Sequence, residues 1–297
     1  MPSRPERTPW SWAPRSLIQP QSPPGSWARW RAETVRIVLC ESVEETGQHA
    51  ARIIADRIAE GPCTLGLATG SSPLPVYREL IRRHRQCGLS FAQCVAFTLD
   101  EYVGLDPKDS RSYRATIRAA FTDHVDLALE ALHSPRAQDA DVTALRESAV
   151  QYERSISAAG GIDVQLLGIG SNGHIGFNEP SSSLASRTRI KALTRETRDA
   201  NARFFEDDET VPSLCLTQGL GTILDSAHAV LVAQGESKAA AVRASVEGPV
   251  SAACPASALQ LHPRATLILD PAAAGALENL DYYQHVQALN DELGLRP

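Results

Sequence analysis

The sequence has no run of about 18 apolar residues, the length that a membrane-spanning helix needs, so we expect no membrane partner. It also lacks an excess of positive charge: the formal net charge is −6 at pH 7 and the sequence pI is about 5.8. Proteins that bind nucleic acid usually show a basic stripe or a high pI, so we expect no nucleic-acid partner either. The composition that remains is globular, with 43% hydrophobic residues in 297, enough for a sizeable core.

Cysteines are few, scattered and without a CxxC pair, so neither a disulfide framework nor a zinc site is expected. We interpret them as buried, reduced thiols of a cytoplasmic protein. They are Cys40, Cys63, Cys87, Cys94, Cys215 and Cys254.

Residues 1–34 differ in composition from the rest of the chain. They hold seven of the 19 prolines and all four tryptophans, and they carry a net charge of +3 against −9 for the remainder. Proline at this density interrupts helices and strands, so we predict a disordered leader. The alternative is a basic arm that docks on a partner. A third hypothesis is a mis-called start, since Met1 is the only methionine and the folded pattern begins abruptly at Val35.

From Val35 onward, apolar strand patterns alternate with helical ones. The strands show no polar alternation, which is typical of a parallel sheet covered on both faces. The pattern predicts strands over 35–40, 63–68, 94–99, 164–170, 188–193, 228–233 and 265–270. It predicts helices over 42–60, 73–85, 147–159 and 196–205, and others after 110, after 235 and from about 273. We therefore expect one α/β domain over 35–297 with a mostly parallel sheet.

Four polar loops follow predicted strands: TGSSP at 69–73, DEY at 100–102, SNGHIGFNEP at 171–180 and QGESK at 234–238. Ligands of open α/β sheets bind beyond the carboxyl ends of the strands, so these loops are predicted to meet at one site.

The TGSSP loop has the composition of an anion site. Its small residues let the backbone approach a ligand, and the following helix directs free N–H groups at the turn, which suits phosphate. The Walker lysine is missing, so a nucleotide γ-phosphate is not expected. Arg203 and Lys238 are candidate partners of the same phosphate, because a dianion needs more than backbone N–H groups. An ordinary capped turn and two surface charges are the alternative.

His174 lies in a strand-end loop, where an imidazole can move protons near neutral pH. Glu179 is placed to orient the ring, and Asn172 to bind substrate or fix the loop. A structural loop histidine is the alternative. A metal site is not expected here, because no second histidine or cysteine lies at ligand spacing.

Asp100 and Glu101 are adjacent carboxylates at a strand end. An ordinary aspartate is a poor base for a carbon acid, but burial beside Phe97 and Leu99, or beside Glu101, would raise its pKa. A helix-capping or solvated acidic turn is the alternative.

Five segments carry a resemblance to a known family. They are LGLATGSSP at 65–73, FTLDEYVGL at 97–105, LGIGSNGHIGFNEP at 167–180, SSLASRTRIKAL at 182–193 and LQLHP at 259–263. They resemble the glucosamine-6-phosphate deaminase family, and the similarity extends from Val35 to about Leu289. The stretch from Gly168 to Pro180 is highly specific.

The resemblance implies a Rossmann-like three-layer α/β/α fold. It also implies hydrolytic isomerisation and deamination of glucosamine 6-phosphate to fructose 6-phosphate and ammonia, with no redox cofactor and no catalytic metal. Asp100 matches the proton acceptor for enolisation and His174 the one for ring opening, assisted by Glu179 and Asn172. Some members have aspartate at the Asn172 position, so no negative charge is expected there. The phosphate-binding positions match Thr69, Gly70, Ser71, Ser72, Arg203 and Lys238.

Some family members are hexamers activated by N-acetylglucosamine 6-phosphate at an inter-subunit site, so a homo-oligomer is an expectation here. Candidate positions of that site are Ser182, Arg189, Lys191 and Tyr282. Ala192 stands where regulated members have threonine, and our hypothesis is a weakened or absent response.

Two other functions stay open at this point. A 6-phosphogluconolactonase shares the fold and a GxxxxGH loop, although that family lacks the FNEP continuation and the DEY turn. A phosphosugar-sensing domain without catalysis would carry a helix-turn-helix, which the proline-rich leader cannot form.

Overall fold

The structure is a computed structural model that describes residues 35–139, 141–202, 205 and 210–295. The described residues belong to one compact unit. The leader predicted over 1–34 lies outside the described residues, and so does Arg203.

Strands and helices alternate along the described chain. The strands are β1 (Arg36–Leu39), β2 (Cys63–Leu67), β3 (Cys94–Thr98), β4 (Asp100–Tyr102), β5 (Leu132–His133), β6 (Val164–Leu167), β7 (Arg189–Ala192), β8 (Leu214–Thr217), β9 (His228–Ala233) and β10 (Ala265–Leu269). The helices are α1 (Val43–Ala59), α2 (Leu74–Cys87), α3 (Tyr113–Ala120), α4 (Val142–Ala158), α5 (Arg195–Asn201), α6 (Leu220–Leu224), α7 (Ala239–Val246), α8 (Pro271–Ala274) and α9 (Leu280–Glu292). No helix in the described part of the chain is both long enough and apolar enough to cross a bilayer.

Seven strands form one parallel sheet in the order β1-β10-β9-β6-β2-β3-β5. Successive side chains of a strand point to opposite faces, and β9 shows the result. Its Val230 and Val232 pack with α1, α2 and α3, whereas Leu231 and Ala233 pack with α6, α7 and α8. Helices therefore cover both faces, and the predicted three-layer α/β/α fold with a mostly parallel sheet is confirmed.

The strand order reverses direction between β2 and β6. The chain proceeds from β2 through β3 to β5 on one side, and from β6 through β9 to β10 on the other. A crevice forms at the carboxyl ends of strands where the order reverses, and ligands of such sheets bind there. The loops after β2 and β6 are the ones in which the sequence predicted a phosphate site and the His174 site.

Two predicted segments lie outside this sheet. The DEY turn is itself strand β4, which forms a small antiparallel sheet in the order β4-β8-β7. The strand predicted over 188–193 is β7 of the same small sheet. In the small sheet, Thr217 of the central strand β8 lies opposite Asp100 of β4 on one side and opposite Arg189 of β7 on the other. Strand β5 is not predicted because two residues are too short for a periodic signal, and β8 is not predicted either.

Side-chain hydrogen bonds satisfy backbone groups at two places, the start of α1 and the edge strand β1. The hydroxyl of Ser42 accepts from the Glu45 amide at 3.2 Å, and Glu45 accepts in return from the Glu41 amide at 2.6 Å. Gln287 of α9 covers the edge strand β1, because it accepts from the Leu39 amide at 2.7 Å and donates to the Leu39 carbonyl at 3.0 Å. This pairing fills edge positions that another chain could otherwise occupy.

The prediction that all cysteines are buried is wrong for two of them. Cys87 is exposed and Cys254 is half-buried, whereas the other four are buried, and all six are free thiols. Cys87 is the last residue of α2, where the amphipathic pattern ends.

Candidate active site

A cleft of about 420 Å³ opens at the carboxyl ends of β2 and β6, within the size range of small-molecule sites. The four predicted loops all contribute to its wall. The sequence-predicted residues that line it are Thr69, Gly70, Ser71, Ser72, Asp100, Asn172, His174 and Lys238. Glu179 lies behind this wall, where it contacts Asn172 and His174.

The loop after β2 has the form of an anion cradle. Gly70 has φ +94°, a left-handed conformation that favours glycine, and α2 starts directly after Pro73 with no side chain capping it. Within the described part of the chain, the amides of Gly70, Ser71 and Ser72 donate to no protein acceptor. These N–H groups and the start of the helix together favour a negatively charged ligand.

Lys238 ends a short 3-10 turn, Glu236–Lys238, and lines the same cleft. The turn is held by Asp270, whose two carboxylate oxygens each lie 3.1 Å from the Gly235 amide. The structure thus brings the ammonium group of Lys238 to the cleft that the 69–72 loop also lines. Arg203, the second predicted phosphate partner, lies outside the described residues.

The tautomer of His174 follows from its hydrogen bonds. Asn172 donates through Nδ2 to Glu179 Oε2 at 2.8 Å, so its Oδ1 faces the other way and accepts from His174 Nδ1 at 2.7 Å. A carboxylate can only accept, which fixes the orientation of the amide and places the proton on Nδ1. The neutral imidazole therefore keeps an unprotonated Nε2, the form that a general base needs.

The His174 ring packs directly over a glycine. A Cβ on Gly170 would lie 2.2 Å from His174 Cε1, so any larger residue at position 170 would displace the ring. Gly168, two residues earlier, differs in this respect: a Cβ there would lie 3.5 Å from the nearest atom, an ordinary contact with Ser72.

Glu179 is a buried carboxylate with several donors around it. Thr197 donates its hydroxyl to Oε1, and Thr194 donates to the same oxygen at 3.3 Å. Burial acts to raise the pKa of Glu179, but hydrogen bonds from His174, Thr197 and Asn172 outweigh it and lower that pKa to about 2. The group is therefore a fixed anion that holds the Asn172–His174 pair.

Asp100 is 4% exposed and lines the cleft from β4. Burial raises its pKa well above the usual 3.8, the charge of Glu101 raises it further, and the Phe177 amide acts in the opposite direction. A carboxylate whose ionised form is disfavoured in this way is a stronger base than an aspartate in water.

Glu101 has a different role from its neighbour. Its carboxylate accepts from the amides of Tyr102, Tyr113 and Arg114 at 2.8–3.0 Å, so it caps the first turn of α3. The capping alternative therefore applies to Glu101, while Asp100 is the carboxylate that reaches the cleft.

Four further lining side chains lie outside the predicted loops. They are Tyr113, Glu196, Thr197 and Asn201. Tyr102 links two of them, since it accepts from Tyr113 at 3.2 Å and from Asn201 at 3.1 Å. No local motif marks these side chains, because each reaches the cleft through tertiary packing.

The four effector-site candidates divide between two regions. Ser182 donates to the Glu179 carbonyl at 2.7 Å, and Arg189 donates to Asn178 Oδ1 at 2.9 Å, so both contact the segment that carries Glu179. Lys191 lies on β7, and Tyr282 is 63% exposed on α9.

Comparison with known proteins confirms the resemblance. Residues 40–268 match the family model described as glucosamine-6-phosphate isomerases/6-phosphogluconolactonase. A glucosamine-6-phosphate deaminase of Arthrobacter sp. (strain FB24) is 54% identical over 252 residues, which is 84% of this chain and 96% of that protein. The enzyme of the same name from Corynebacterium glutamicum (strain R) is 52% identical over 253 residues, covering 85% and 98%.

Solved structures agree on the fold. A monomeric glucosamine-6-phosphate deaminase is 44% identical, with a TM-score of 0.78 over 82% of this chain and 100% of that chain. The 6-phosphogluconolactonase of Trypanosoma cruzi is 19% identical, with a TM-score of 0.68 over 84% and 99%, a likeness that shows the fold alone. The chain therefore belongs to the family of glucosamine-6-phosphate isomerases and 6-phosphogluconolactonases.

Proposed function

We propose that this protein is a glucosamine-6-phosphate deaminase. It isomerises glucosamine 6-phosphate and hydrolyses the product to fructose 6-phosphate and ammonia. Relatives of that name are 51–54% identical over about 84% of the chain. The observation that carries the proposal is the buried carboxylate of Asp100 in a cleft that also holds an anion cradle.

The phosphate of the sugar binds in the cradle. The free amides of Gly70, Ser71 and Ser72 donate to its oxygens, and Lys238 adds a full positive charge. Fixing the far end of a hexose in this way places its reacting carbons next to the proton-transfer groups, which lowers the entropic part of the barrier.

Ring opening uses His174. Its unprotonated Nε2 takes the proton of the C1 hydroxyl and returns a proton to the ring oxygen as the C1–O5 bond breaks. The imidazolium that forms in between is stabilised by Glu179, whose carboxylate lies 3.5 Å from Nδ1. Asn172 keeps the ring in the tautomer that this step needs.

Isomerisation uses Asp100. Once C1 is an aldehyde, the C2 proton becomes acidic because the negative charge of the carbanion spreads onto oxygen. Asp100 removes that proton, and the C1 oxygen takes up a proton to give an enolamine. Asp100 then delivers its proton to C1 while the nitrogen gives up one proton, which leaves a hydroxymethyl group at C1 and an imine at C2. Water then adds to C2 and ammonia leaves, so the net reaction consumes one water. A positioned acid–base group contributes about 10²–10⁴-fold to such a rate.

An assay with two alternative substrates, each offered separately, tests the proposal. The purified protein should release equal amounts of ammonium and fructose 6-phosphate from glucosamine 6-phosphate, and the Asp100→Asn protein prepared in parallel should not. Offered 6-phosphogluconolactone, the protein should show no hydrolysis above the spontaneous rate. Lactone hydrolysis without ammonium release would instead identify a lactonase.

We propose that the reaction takes place in the cytoplasm. The free thiols of all six cysteines support this, since free thiols are usual in a reducing compartment. For regulation, we propose that N-acetylglucosamine 6-phosphate activates weakly or not at all, since Ala192 lacks the hydroxyl of regulated members. Rate curves should be hyperbolic with and without this compound. A sigmoidal curve that becomes hyperbolic on its addition would contradict this part of the proposal and would support an oligomer.

A further inference from the structure

Three metal-ligating side chains meet at the carboxyl end of β1, outside the residues that line the active-site cleft. Cys40 directly follows the strand, and Glu45 and His49 are one turn apart on the same face of α1. Their ligand atoms all lie within 4.8 Å of one another. Among the described residues, this is the one group of three such side chains close enough to share an ion.

The orientation of the three groups is consistent with a common ligand. Glu45 uses Oε2 to accept from the Glu41 amide at 2.6 Å, which leaves Oε1 directed toward His49 Nε2 at 3.6 Å. Cys40 is 5% exposed and is held in place by its amide, which donates to the Leu269 carbonyl at 2.9 Å. One fixed ligand and two partly exposed ones allow an ion to enter from solvent.

The chemistry of the three donors selects the ion. A sulfur, an imidazole nitrogen and a carboxylate oxygen are the ligands of tetrahedral Zn²⁺, whereas Mg²⁺ and Ca²⁺ take oxygen ligands. A thiolate and a carboxylate together balance the two charges of the ion. Zinc bonds of about 2.0–2.3 Å require the donors to draw together by roughly 1 Å, which Glu45 and His49, 36% and 24% exposed, can do by side-chain rotation.

The surroundings supply a place for the fourth ligand. A cavity of about 520 Å³ is lined by Cys40, Asp270 of the β10 end and Asp291 of α9. Asp291 also lies within electrostatic reach of His49, as does the exposed Arg52, whose opposing charge is screened by solvent. Water in this cavity, which Cys40 lines, can complete a tetrahedral shell.

We propose that Cys40, Glu45 and His49 form a zinc-binding site separate from the active site. The absence of a CxxC pair predicts no zinc site, but that pattern covers only sites built on paired cysteines. Here a single cysteine at the end of β1 combines with a Glu-x-x-x-His pair on the helix that follows. The site lies behind the phosphate cradle: Thr46, next to Glu45, accepts from Gln234, which also donates to the Ser72 carbonyl.

Zinc titration of chelator-stripped protein tests the proposal. Calorimetry and native mass spectrometry should find one Zn²⁺ per chain, and Co²⁺ should give a thiolate-to-metal charge-transfer band. Cys40→Ser should abolish that band. Cys40→Ser, Glu45→Gln and His49→Gln should each weaken Zn²⁺ binding on the order of 100-fold or more, since even the loss of an outer-shell partner costs 10–100-fold.

Matched controls use residues of the same types elsewhere. Cys87→Ser and His285→Gln alter an exposed thiol and an exposed imidazole, and they should leave zinc binding unchanged. Unchanged melting temperatures would show that the site variants remain folded. The proposal is overturned if the intact protein binds no Zn²⁺, if the cobalt band is absent, or if the folded Cys40→Ser and His49→Gln proteins bind Zn²⁺ as tightly as the intact protein.

Discussion

Asp100 carries a charge that its surroundings disfavour, and this has opposite effects on activity and on stability. The group is buried beside Glu101, so its pKa is raised in the folded protein relative to the unfolded chain. For an acid with a raised pKa, stability is lost as the pH rises from the unfolded value upward. A base of this kind reduces the stability of the fold at neutral pH, a common property of active sites.

Asp100→Asn should therefore remove activity and add stability. We expect the rate of exchange of the C2 proton of glucosamine 6-phosphate with deuterated solvent to fall by about 10²–10⁴-fold. NMR measures this rate. The substrate should still bind. The unfolding midpoint in urea should rise at pH 8, and the difference should shrink toward pH 4. Asp123→Asn, at an exposed ion pair with Arg118, is the matched control. Unchanged exchange would remove Asp100 from the mechanism.

Gly170→Ala should displace the His174 ring, since the added Cβ would lie 2.2 Å from it. A catalytic group misplaced by about 1 Å costs on the order of 10² in rate, so kcat should fall by that factor with little change in melting temperature. Gly168→Ala is the control in the same loop, because its Cβ meets only an ordinary contact at 3.5 Å. Equal rates for the two variants would show that the position of the ring over Gly170 is unimportant.

At the scale of elements, the phosphate cradle combines a loop and two helical starts. The loop after β2 supplies backbone donors, and the turn before α7 supplies Lys238. Asp270 fixes that turn through the Gly235 amide, and it also caps α8 by accepting from the Ala273 amide at 2.7 Å. The position of the ammonium group therefore depends on the end of β10 as well as on its own turn.

Lys238→Ala should raise KM by roughly 10–100-fold, the loss expected for one charge-assisted hydrogen bond, with a much smaller change in kcat. Steady-state kinetics with glucosamine 6-phosphate measures both constants. Lys108→Ala removes an exposed lysine that lies outside the lining of the cleft, and it should change neither constant. A large fall in kcat at constant KM would show that Lys238 acts on the transition state instead of the phosphate.

The sequence predicts elements well where they are long or apolar. Strand β9 was predicted with its observed bounds, and α1 was predicted to within about a residue at each end, because Ser42 and Glu45 mark its start. The start of α4 was placed five residues late, at 147 instead of Val142, since its Asp141 cap follows a loop without a clear pattern. The small sheet was missed because β4 and β8 pair over more than 100 intervening residues.

The candidate site was predictable where a motif carries it. His174, Asn172 and Glu179 lie in one loop, and their hydrogen bonds are short-range, so sequence reasoning could bring them together. Thr197 and Tyr113 were not predictable, because they reach the cleft from α5 and α3 only after the chain has folded. The division of roles between Asp100 and Glu101 also required the structure, which shows three backbone amides on the second carboxylate.

For the whole molecule, buried histidines contribute to the response to acid. His228 is buried in β9 beside Thr266, and burial first, then Arg264 and His262, lowers its pKa to about 3. The unfolded chain takes up a proton near the ordinary pKa of 6.5, whereas the folded protein does so only near 3. Stability is therefore lost as the pH falls through this window, and the loss per pH unit is largest in the middle of the window, where the unfolded chain is protonated and the folded protein is not.

His228→Gln should flatten this dependence. The free energy of unfolding of the intact protein should fall by about 2 kcal/mol more than that of the variant when the pH is lowered from 7.5 to 5. Urea titrations at both pH values measure the difference. His285→Gln, at an exposed position on α9, should retain the full pH dependence. Parallel curves for His228→Gln and the intact protein would place the acid sensitivity elsewhere.

The base and the cradle belong to different sheets. Asp100 lies in the three-stranded sheet, whereas the phosphate loop continues from β2 of the seven-stranded one. The two are joined at Leu99, whose amide donates to the Leu67 carbonyl and whose carbonyl accepts from the Gln218 amide, both at 2.9 Å. The rate of the chemical step and the affinity for the phosphate group thus depend on separate sheets, and natural substitutions can change one without changing the other.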